Sequence, residues 1–284
     1  MPSAWPILSL LCVAAAPREA SIVQVAPAQH ELREAVRTSG RERAVVLIHG
    51  LKLHPFNTGK IAHAVLHEWQ LPDSLLVKRL GRESDVYSFA YGYNGTADEV
   101  STVPLLGESV RRLRLMGYRH VVLVGHSAGG VIAREFVEDD PDAGVTKVVQ
   151  VSTPNGGSPW AVWQLVQPKE ADFLDSLTKP IRRLAVAGRS DRRIPSHIEF
   201  ACVVANGLVV GDGMVGSRCQ WTEDLQQQGV PAFAIQSTHW QTVRSKAGVE
   251  LIADLVRSPL PRWDTVRVAA VRRSILGDAA RTMH

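Results

Sequence analysis

The sequence lacks any apolar run of the roughly 20 residues that a membrane-spanning helix requires. It also lacks internal repeats, low-complexity segments and motifs for nucleic-acid binding. These absences argue against a membrane-embedded body, a repeat architecture and a nucleic-acid partner. The chain has 284 residues, of which 45% are hydrophobic, and this is enough to bury one large core.

Residues 1–20 are predicted to be either a signal peptide or a disordered N-terminus. The apolar run Ile7 to Ala16 ends in small residues, as secretory signals do, but no Lys or Arg precedes it. Cleavage after Ala16 would remove Cys12 and leave Cys202 and Cys219 as an even pair, which favours an oxidising compartment. The alternative is two buried thiols. We therefore expect a secreted or periplasmic protein, or otherwise a cytoplasmic one.

The formal net charge of +4 comes from the C-terminal residues 257–284. This segment carries six arginines against two aspartates, namely Arg257, Arg262, Arg267, Arg272, Arg273 and Arg281 against Asp264 and Asp278. Such a basic tail could make peripheral contact with an anionic membrane surface, or it could be an ordinary solvated end.

Short β-branched runs alternate with helical patterns along residues 21–256. The predicted strands are Ala44 to Ile48, Val86 to Phe89, His120 to Val124, Lys147 to Val151, Phe200 to Val204 and Ala232 to Ile235. The predicted helices between them include Thr58 to Trp69, Leu105 to Met116 and Ala128 to Val137. This alternation predicts an α/β fold with a mostly parallel, doubly wound sheet.

The stretch Gly156 to Pro195 interrupts the alternation with short, proline-punctuated helical pieces. We interpret it as an inserted helical cap. Its apolar residues could cover a site or simply pack onto the domain; they are Trp160, Trp163, Leu165, Phe173 and Leu177.

A G-x-S-x-G element, Gly125 to Gly129, follows a predicted strand directly and precedes a predicted helix. In this setting the serine sits on a tight turn that presents its hydroxyl at the sheet edge, and the flanking glycines let strand and helix approach each other. Ser127 is therefore the candidate nucleophile.

An acyl-transfer serine needs N–H donors for the developing oxyanion. The residue after the nucleophile, Ala128, supplies one at a helix N-terminus. Leu51 is the candidate for the second, because His49-Gly50-Leu51 ends an earlier strand. His49 itself precedes the serine, which is the wrong order for the base.

The acid and the base should follow the serine in that order, each after a strand. Asp212 lies between two glycines beyond the strand Phe200 to Val204, and His239 follows the strand Ala232 to Ile235. The weaker alternatives are Asp191, Asp224 and His197.

Three segments resemble those of bacterial true lipases and related esterases in the α/β-hydrolase superfamily: Val46 to Gly50, Gly125 to Gly130 and Ser152 to Ser158. Gly211 to Gly216 is similar to their acid loop. The resemblance covers roughly residues 43 to 256 and implies an α/β-hydrolase fold with a Ser127, Asp212 and His239 triad.

The resemblance also implies that Cys219 pairs with Cys202, since a cysteine near the acid loop of such lipases often bonds one upstream. Two positions depart from the family pattern. Gln241 stands where those lipases often have a calcium-binding aspartate, so no calcium is expected, and Asn155 stands where they often have histidine.

The expected activity is hydrolysis of carboxylic esters, with lipid or other acyl esters as substrates and no metal or cofactor. The same triad would also serve an acyltransferase or an amidase. A hydrolase fold kept as a non-catalytic binding module is the third hypothesis.

Overall fold

The computed structural model describes residues 20–51, 64–92, 95–161, 171–208 and 211–277. Their strands are β1 (Ala20–Ala26), β2 (His30–Glu31), β3 (Arg43–Ile48), β4 (Asp85–Tyr91), β5 (His120–His126), β6 (Lys147–Val151), β7 (Glu199–Ala205) and β8 (Ala232–Ile235). The helices are α1 (Leu75–Leu80), α2 (Ala97–Ser101), α3 (Pro104–Leu115), α4 (Ala128–Asp139), α5 (Ala171–Ser176), α6 (Lys179–Gly188), α7 (Ser217–Gln220), α8 (Glu223–Gln227), α9 (Lys246–Arg257) and α10 (Thr265–Leu276).

The strands form one sheet of eight in the order β2-β1-β4-β3-β5-β6-β7-β8. Neighbouring strands from β4 and β3 through to β8 are all parallel, whereas β1 runs antiparallel to both β2 and β4. The prediction of a mostly parallel sheet is confirmed, and so are its six strands. The sequence analysis did not predict β1 and β2, which form the antiparallel edge.

The central strands are buried on both faces, which explains their continuous apolar runs. In β3, Val46 and Ile48 join the core on one face of the sheet, while Val45 and Leu47 join the core on the other. The helices supply the covering layers: α4 packs on β5 and β6 on one side, and α9 packs on β6 and α1 on the other.

The helix predicted for Thr58 to Trp69 is wrong where the structure describes it. Residues 64–67 are not helical, a single 3₁₀ turn spans Glu68–Gln70, and the rest of the segment lies outside the described residues. The helix of this region begins later, at α1, where the Ser74 hydroxyl caps the helix by accepting a hydrogen bond from the Val77 amide.

The cap lies between β6 and β7, as predicted, and its described helices are α5 and α6. A buried ion pair fastens α6 to α4, since the Arg182 guanidinium donates to Glu135 at 2.7 Å and to Asp98 at 3.3 Å. Two of the predicted cap residues, Trp163 and Leu165, lie outside the described residues.

The C-terminal segment, as far as residue 277, packs on the domain and is not a solvated end. Leu260, Trp263 and Val268 are buried, and the last two belong to the main core. The arginines of α10 therefore stand on a helix that packs against the domain. Within the described ranges, no helix is long and apolar enough to span a membrane.

Candidate active site

Ser127 is the single residue between the end of β5 and the start of α4. Its backbone is strained, with φ of 56° and ψ of −129°, in the left-handed region that a serine rarely occupies. A hydrogen bond of 2.9 Å from the Ser127 amide to the Val151 carbonyl joins this turn to the end of β6. The predicted strand-turn-helix setting of the serine is thus present.

The strand β3 ends directly beside this serine, which requires glycine at position 50. A Cβ placed on Gly50 would lie 2.5 Å from the Ser127 Cβ and 3.0 Å from its Oγ. The following residue, Leu51, is buried beside Ser127 in the same cleft. Ala128 begins α4, so its N–H has no acceptor within the helix.

Asp212 and His239 come together from two loops that follow β7 and β8. The His239 Nδ1 and the Asp212 Oδ2 are 2.8 Å apart, and the His239 amide donates to the Asp212 carbonyl at 3.0 Å. Both side chains are almost completely buried. His239 and Ser127 line one cleft, so the structure brings the three candidate residues to the same place.

The Asp212 carboxylate is held in its charged form. Burial raises the pKa of this group, but the hydrogen bond and charge of His239 and the amides of Val215 and Met214 together lower the pKa below its usual value. Those two amides donate to the Asp212 Oδ1 at 2.7 and 2.9 Å. The loop thus presents a carboxylate whose other oxygen accepts from His239.

The histidine that precedes the serine, His126, is a neutral neighbour of His239. Its Nε2 lies 3.0 Å from the His239 carbonyl oxygen, and the two ring centroids are 4.8 Å apart. Burial, followed by the nearby His239 charge, lowers the pKa of His126 to about 3. Because His126 is uncharged, it does not repel a positive charge on His239.

Gln220, which the sequence analysis missed, holds the acid loop against β7. Its side chain accepts from the Ala205 amide at 2.8 Å and donates to the carbonyls of Ala205 and Val215, each at 2.9 Å. A longer contact of 3.5 Å reaches the Asp212 Oδ2.

The predicted bridge between Cys202 and Cys219 is wrong in this structure, where both are free thiols. Cys202 lies in β7 with its Sγ against the Gln150 amide oxygen, whereas Cys219 lies in α7 beside Gly156. Hydrogen bonds of Gln220, and not a disulfide, hold the acid loop against β7.

Asn155 is fully buried and has a structural role beside Gln220. Its amide nitrogen donates to the Gln150 Oε1 and to the Gln220 carbonyl, both at 2.9 Å.

The cleft beside Ser127 has mainly apolar walls and an open space of about 430 Å³ including its mouth. Cap residues contribute Trp160, Ala161, Leu174 and Leu177 to these walls. Phe173 follows the other interpretation of the cap residues: it packs onto the domain and does not line the cleft, with its ring 6.0 Å from that of Tyr91 between centroids.

The alternative candidates lie elsewhere. His49 is fully buried between the rings of His67 and Tyr91, and the exposed His197 contacts the Pro141 carbonyl. Asp224 pairs with Arg134. Among the residues that the structure describes, no group of three or more His, Cys, Asp and Glu side chains is placed to hold a metal ion.

A mostly parallel eight-stranded sheet, with a serine on a strained turn between β5 and α4, defines the α/β-hydrolase superfamily. The predicted fold is confirmed. Within that class, the model of the PGAP1-like alpha/beta domain matches residues 39–186, and the chain belongs to this family. No curated protein sequence matches the chain significantly.

Solved structures with this fold include several lipases and esterases. The mature lipase BlEst2 of Bacillus licheniformis has a TM-score of 0.61 at 13% identity, and the match covers 78% of this chain and 96% of the lipase. The metagenomic carboxyl esterase MGS0156 has a TM-score of 0.51 at 17% identity, covering 86% and 78%. Phospholipase PlaB of Legionella pneumophila has a TM-score of 0.56 at 11% identity, covering 82% and 61%.

Proposed function

We propose that this protein is a serine hydrolase that cleaves carboxylic esters, with Ser127 as nucleophile, His239 as base and Asp212 as the orienting acid. The observation that carries the proposal is the buried 2.8 Å contact between the His239 Nδ1 and the Asp212 Oδ2 in the cleft that also holds Ser127. This contact leaves the Nε2 of His239 as the nitrogen that can take the serine proton.

The reaction would proceed by two acyl transfers. His239 takes the Ser127 proton as the Oγ attacks the ester carbonyl, and the amides of Ala128 and Leu51 stabilise the oxyanion. His239 then gives the proton to the departing alcohol. In the second half, His239 takes a proton from water, the hydroxide attacks the acyl-enzyme, and the free acid leaves with Ser127 restored.

We infer an apolar acyl group in the substrate. The cleft walls support this inference, because their side chains are largely aliphatic or aromatic and an acyl chain would bury its surface against them. The printed names of the structural neighbours, which include lipases, a carboxyl esterase and a phospholipase, agree with a lipid or other acyl ester.

The test is covalent labelling with a fluorophosphonate, followed by mass spectrometry, together with hydrolysis of nitrophenyl esters. We expect labelling at Ser127, and we expect Ser127→Ala to lose turnover by a factor on the order of a million. The matched control is Ser158→Ala, a serine of the same cleft whose hydroxyl donates to the Met214 carbonyl. This variant should still be labelled. Unlabelled, folded wild-type protein would instead favour a binding module.

A further inference from the structure

A second cavity lies beside the cleft, between the cap helix α6, the helices α7 and α8, and the C-terminal helix α10. It encloses about 1240 Å³ including its open mouth. Pro154 lines the cleft and Gly156 lines this cavity, so the two spaces are separated by a short segment of chain. We call this cavity the arginine groove, after Arg182, Arg183, Arg218 and Arg272, which all line it.

The charges of the arginine groove are unbalanced. Arg183, Arg218 and Arg272 are exposed and make no ion pair with any residue in the described part of the chain. Two carboxylates also line the groove, but Asp224 is already paired with Arg134 at 2.5 Å. Among the described residues that line the groove, Glu223 is the one remaining carboxylate against three unpaired guanidinium groups, so the lining carries an excess of positive charge.

Two buried polar atoms of residues that line the groove lack hydrogen-bond partners. Arg182 is almost fully buried, and its ion pairs with Glu135 and Asp98 both use one nitrogen, Nη1. Its Nε and the hydroxyl oxygen of Thr222, another lining residue, are buried without a hydrogen-bond partner. Polar atoms of this kind are rare in folded proteins and call for an explanation.

We propose that the arginine groove binds a phosphate group carried by an organic molecule or a lipid headgroup. Guanidinium groups form paired, charge-assisted hydrogen bonds with phosphate oxygens, and three unpaired ones suit a multiply charged anion better than a single carboxylate. The volume leaves room for an organic group besides the phosphate. This site is separate from the ester-cleaving cleft and does not depend on the proposed chemistry of Ser127.

The first experiment is titration calorimetry of the full chain with inorganic phosphate, beside sedimentation with phosphatidylcholine vesicles that contain or lack phosphatidylglycerol. The test variant is Arg218→Ala combined with Arg272→Ala. The control is Arg273→Ala, which removes one charge from the neighbouring exposed position of α10, outside the groove lining; it is matched to Arg272→Ala alone, which removes one charge from the lining. We expect the double variant to lose phosphate affinity by about tenfold or more, and the control to keep it.

The second experiment reads the potential inside the groove from Cys219, a free and half-buried thiol in its lining. The anionic reagent iodoacetate and the neutral reagent iodoacetamide alkylate the same thiolate, so the ratio of their rates cancels the thiolate fraction. We expect this ratio to be higher at Cys219 than at glutathione and to fall in the double variant but not in Arg273→Ala. Added phosphate should slow both reagents. The modified peptide is identified by mass spectrometry.

Each outcome decides between the proposal and its alternatives. Saturable binding of free phosphate that needs Arg218 and Arg272 supports a site for a soluble phosphate ester, and binding restricted to anionic vesicles with the same dependence supports a lipid headgroup. Equal losses in the double variant and the Arg273→Ala control would mean surface charge alone and would overturn the site. Absence of binding, with an unchanged alkylation ratio, would also overturn it.

Discussion

At the scale of single residues, the buried side chain of Gln220 holds the loop that carries Asp212. Its three close hydrogen bonds all end on backbone groups of Ala205 and Val215. Removing it would leave buried backbone groups without partners and would let the Asp212 carboxylate move away from His239.

We predict that Gln220→Ala lowers both stability and turnover. The lost hydrogen bonds should lower the free energy of unfolding by about 2 to 4 kcal/mol, which urea denaturation measures. Turnover should fall by a larger factor than KM rises, because Gln220 holds Asp212 beside His239, the proposed base, although Met214 and Val215 of the same loop also line the cleft. Gln227→Ala, on the exposed side of α8, is the control and should alter neither quantity. A variant with full turnover would show that the loop does not need this glutamine.

A second residue-scale prediction concerns acid sensitivity. The pKa of His126 is lowered to about 3 by burial and by the His239 charge. An unfolded chain would protonate this ring near pH 6.5. Between these two values only the unfolded state binds the proton, so this histidine's contribution to stability is present above about pH 6.5 and is lost as the pH falls toward 3.

Replacing His126 with Gln should therefore flatten the pH dependence of stability. From about pH 7 to about pH 5, the wild type should lose about 2 kcal/mol more unfolding free energy than the variant. The raised pKa of Glu135, about 7 in the folded protein, acts in the opposite direction but is present in both proteins and cancels. Parallel pH profiles from urea denaturation would mean that His126 is protonated in the folded protein.

At the scale of secondary-structure elements, the cap contributes two kinds of aromatic residue. Trp160 lies at the cleft wall with 39% of its surface exposed, whereas Phe173 on α5 is fully buried against Tyr91 and the core. Their replacement should have different consequences, although both residues belong to the same inserted segment.

We predict that Trp160→Ala changes the preference for acyl-chain length, and that Phe173→Ala does not. Losing the tryptophan surface should reduce kcat/KM for long-chain esters by about tenfold and leave acetate esters nearly unchanged, since only a long chain reaches it. Phe173→Ala should instead lower the unfolding free energy by about 3 to 5 kcal/mol. A series of nitrophenyl esters and thermal denaturation measure the two effects. Equal losses on all esters in Trp160→Ala would indicate that this residue only stabilises the cap.

The elements that could be predicted from the sequence are those that a local sequence pattern determines. The strands β3 and β5 contain continuous apolar runs because both their faces are buried, and the Ser127 turn is marked by its own glycines. Asp212 and His239 could be predicted from chain order, because each follows a strand whose end faces the same edge of the sheet.

Other features depend on contacts that no local pattern marks. Strand β1 begins at Ala20, directly after the apolar N-terminus that suggested a signal peptide, and the edge strand β2 has only two residues. The role of Gln220 arises from the distant backbone of β7. The family resemblance implied that Cys202 pairs with Cys219, but a disulfide requires the two side chains to meet in the folded chain, which no local pattern determines.

At the scale of the whole molecule, the domain continues beyond residue 257, where the sequence suggested that a basic tail begins. Trp263 packs its ring against Phe233 of β8 with 5.7 Å between centroids, and its amide donates to the Gly229 carbonyl at 2.7 Å. Helix α10 follows and buries Val268 in the main core. The arginines of this helix thus have fixed positions relative to α6 and α7, as the arginine groove requires.

We predict that a chain shortened after Ser258 loses much of its stability. The deletion removes Leu260, Trp263 and Val268 from the core, and each buried apolar side chain contributes about 1.5 to 3 kcal/mol. The sum approaches the whole free energy of unfolding of an ordinary domain, about 5 to 15 kcal/mol. We therefore expect the melting temperature to fall by at least about 10 °C or the cooperative transition to disappear. A chain shortened after Gly277 keeps α10 and is the control. Calorimetry that gave both chains the wild-type melting temperature would mean that residues 259–277 do not stabilise the domain.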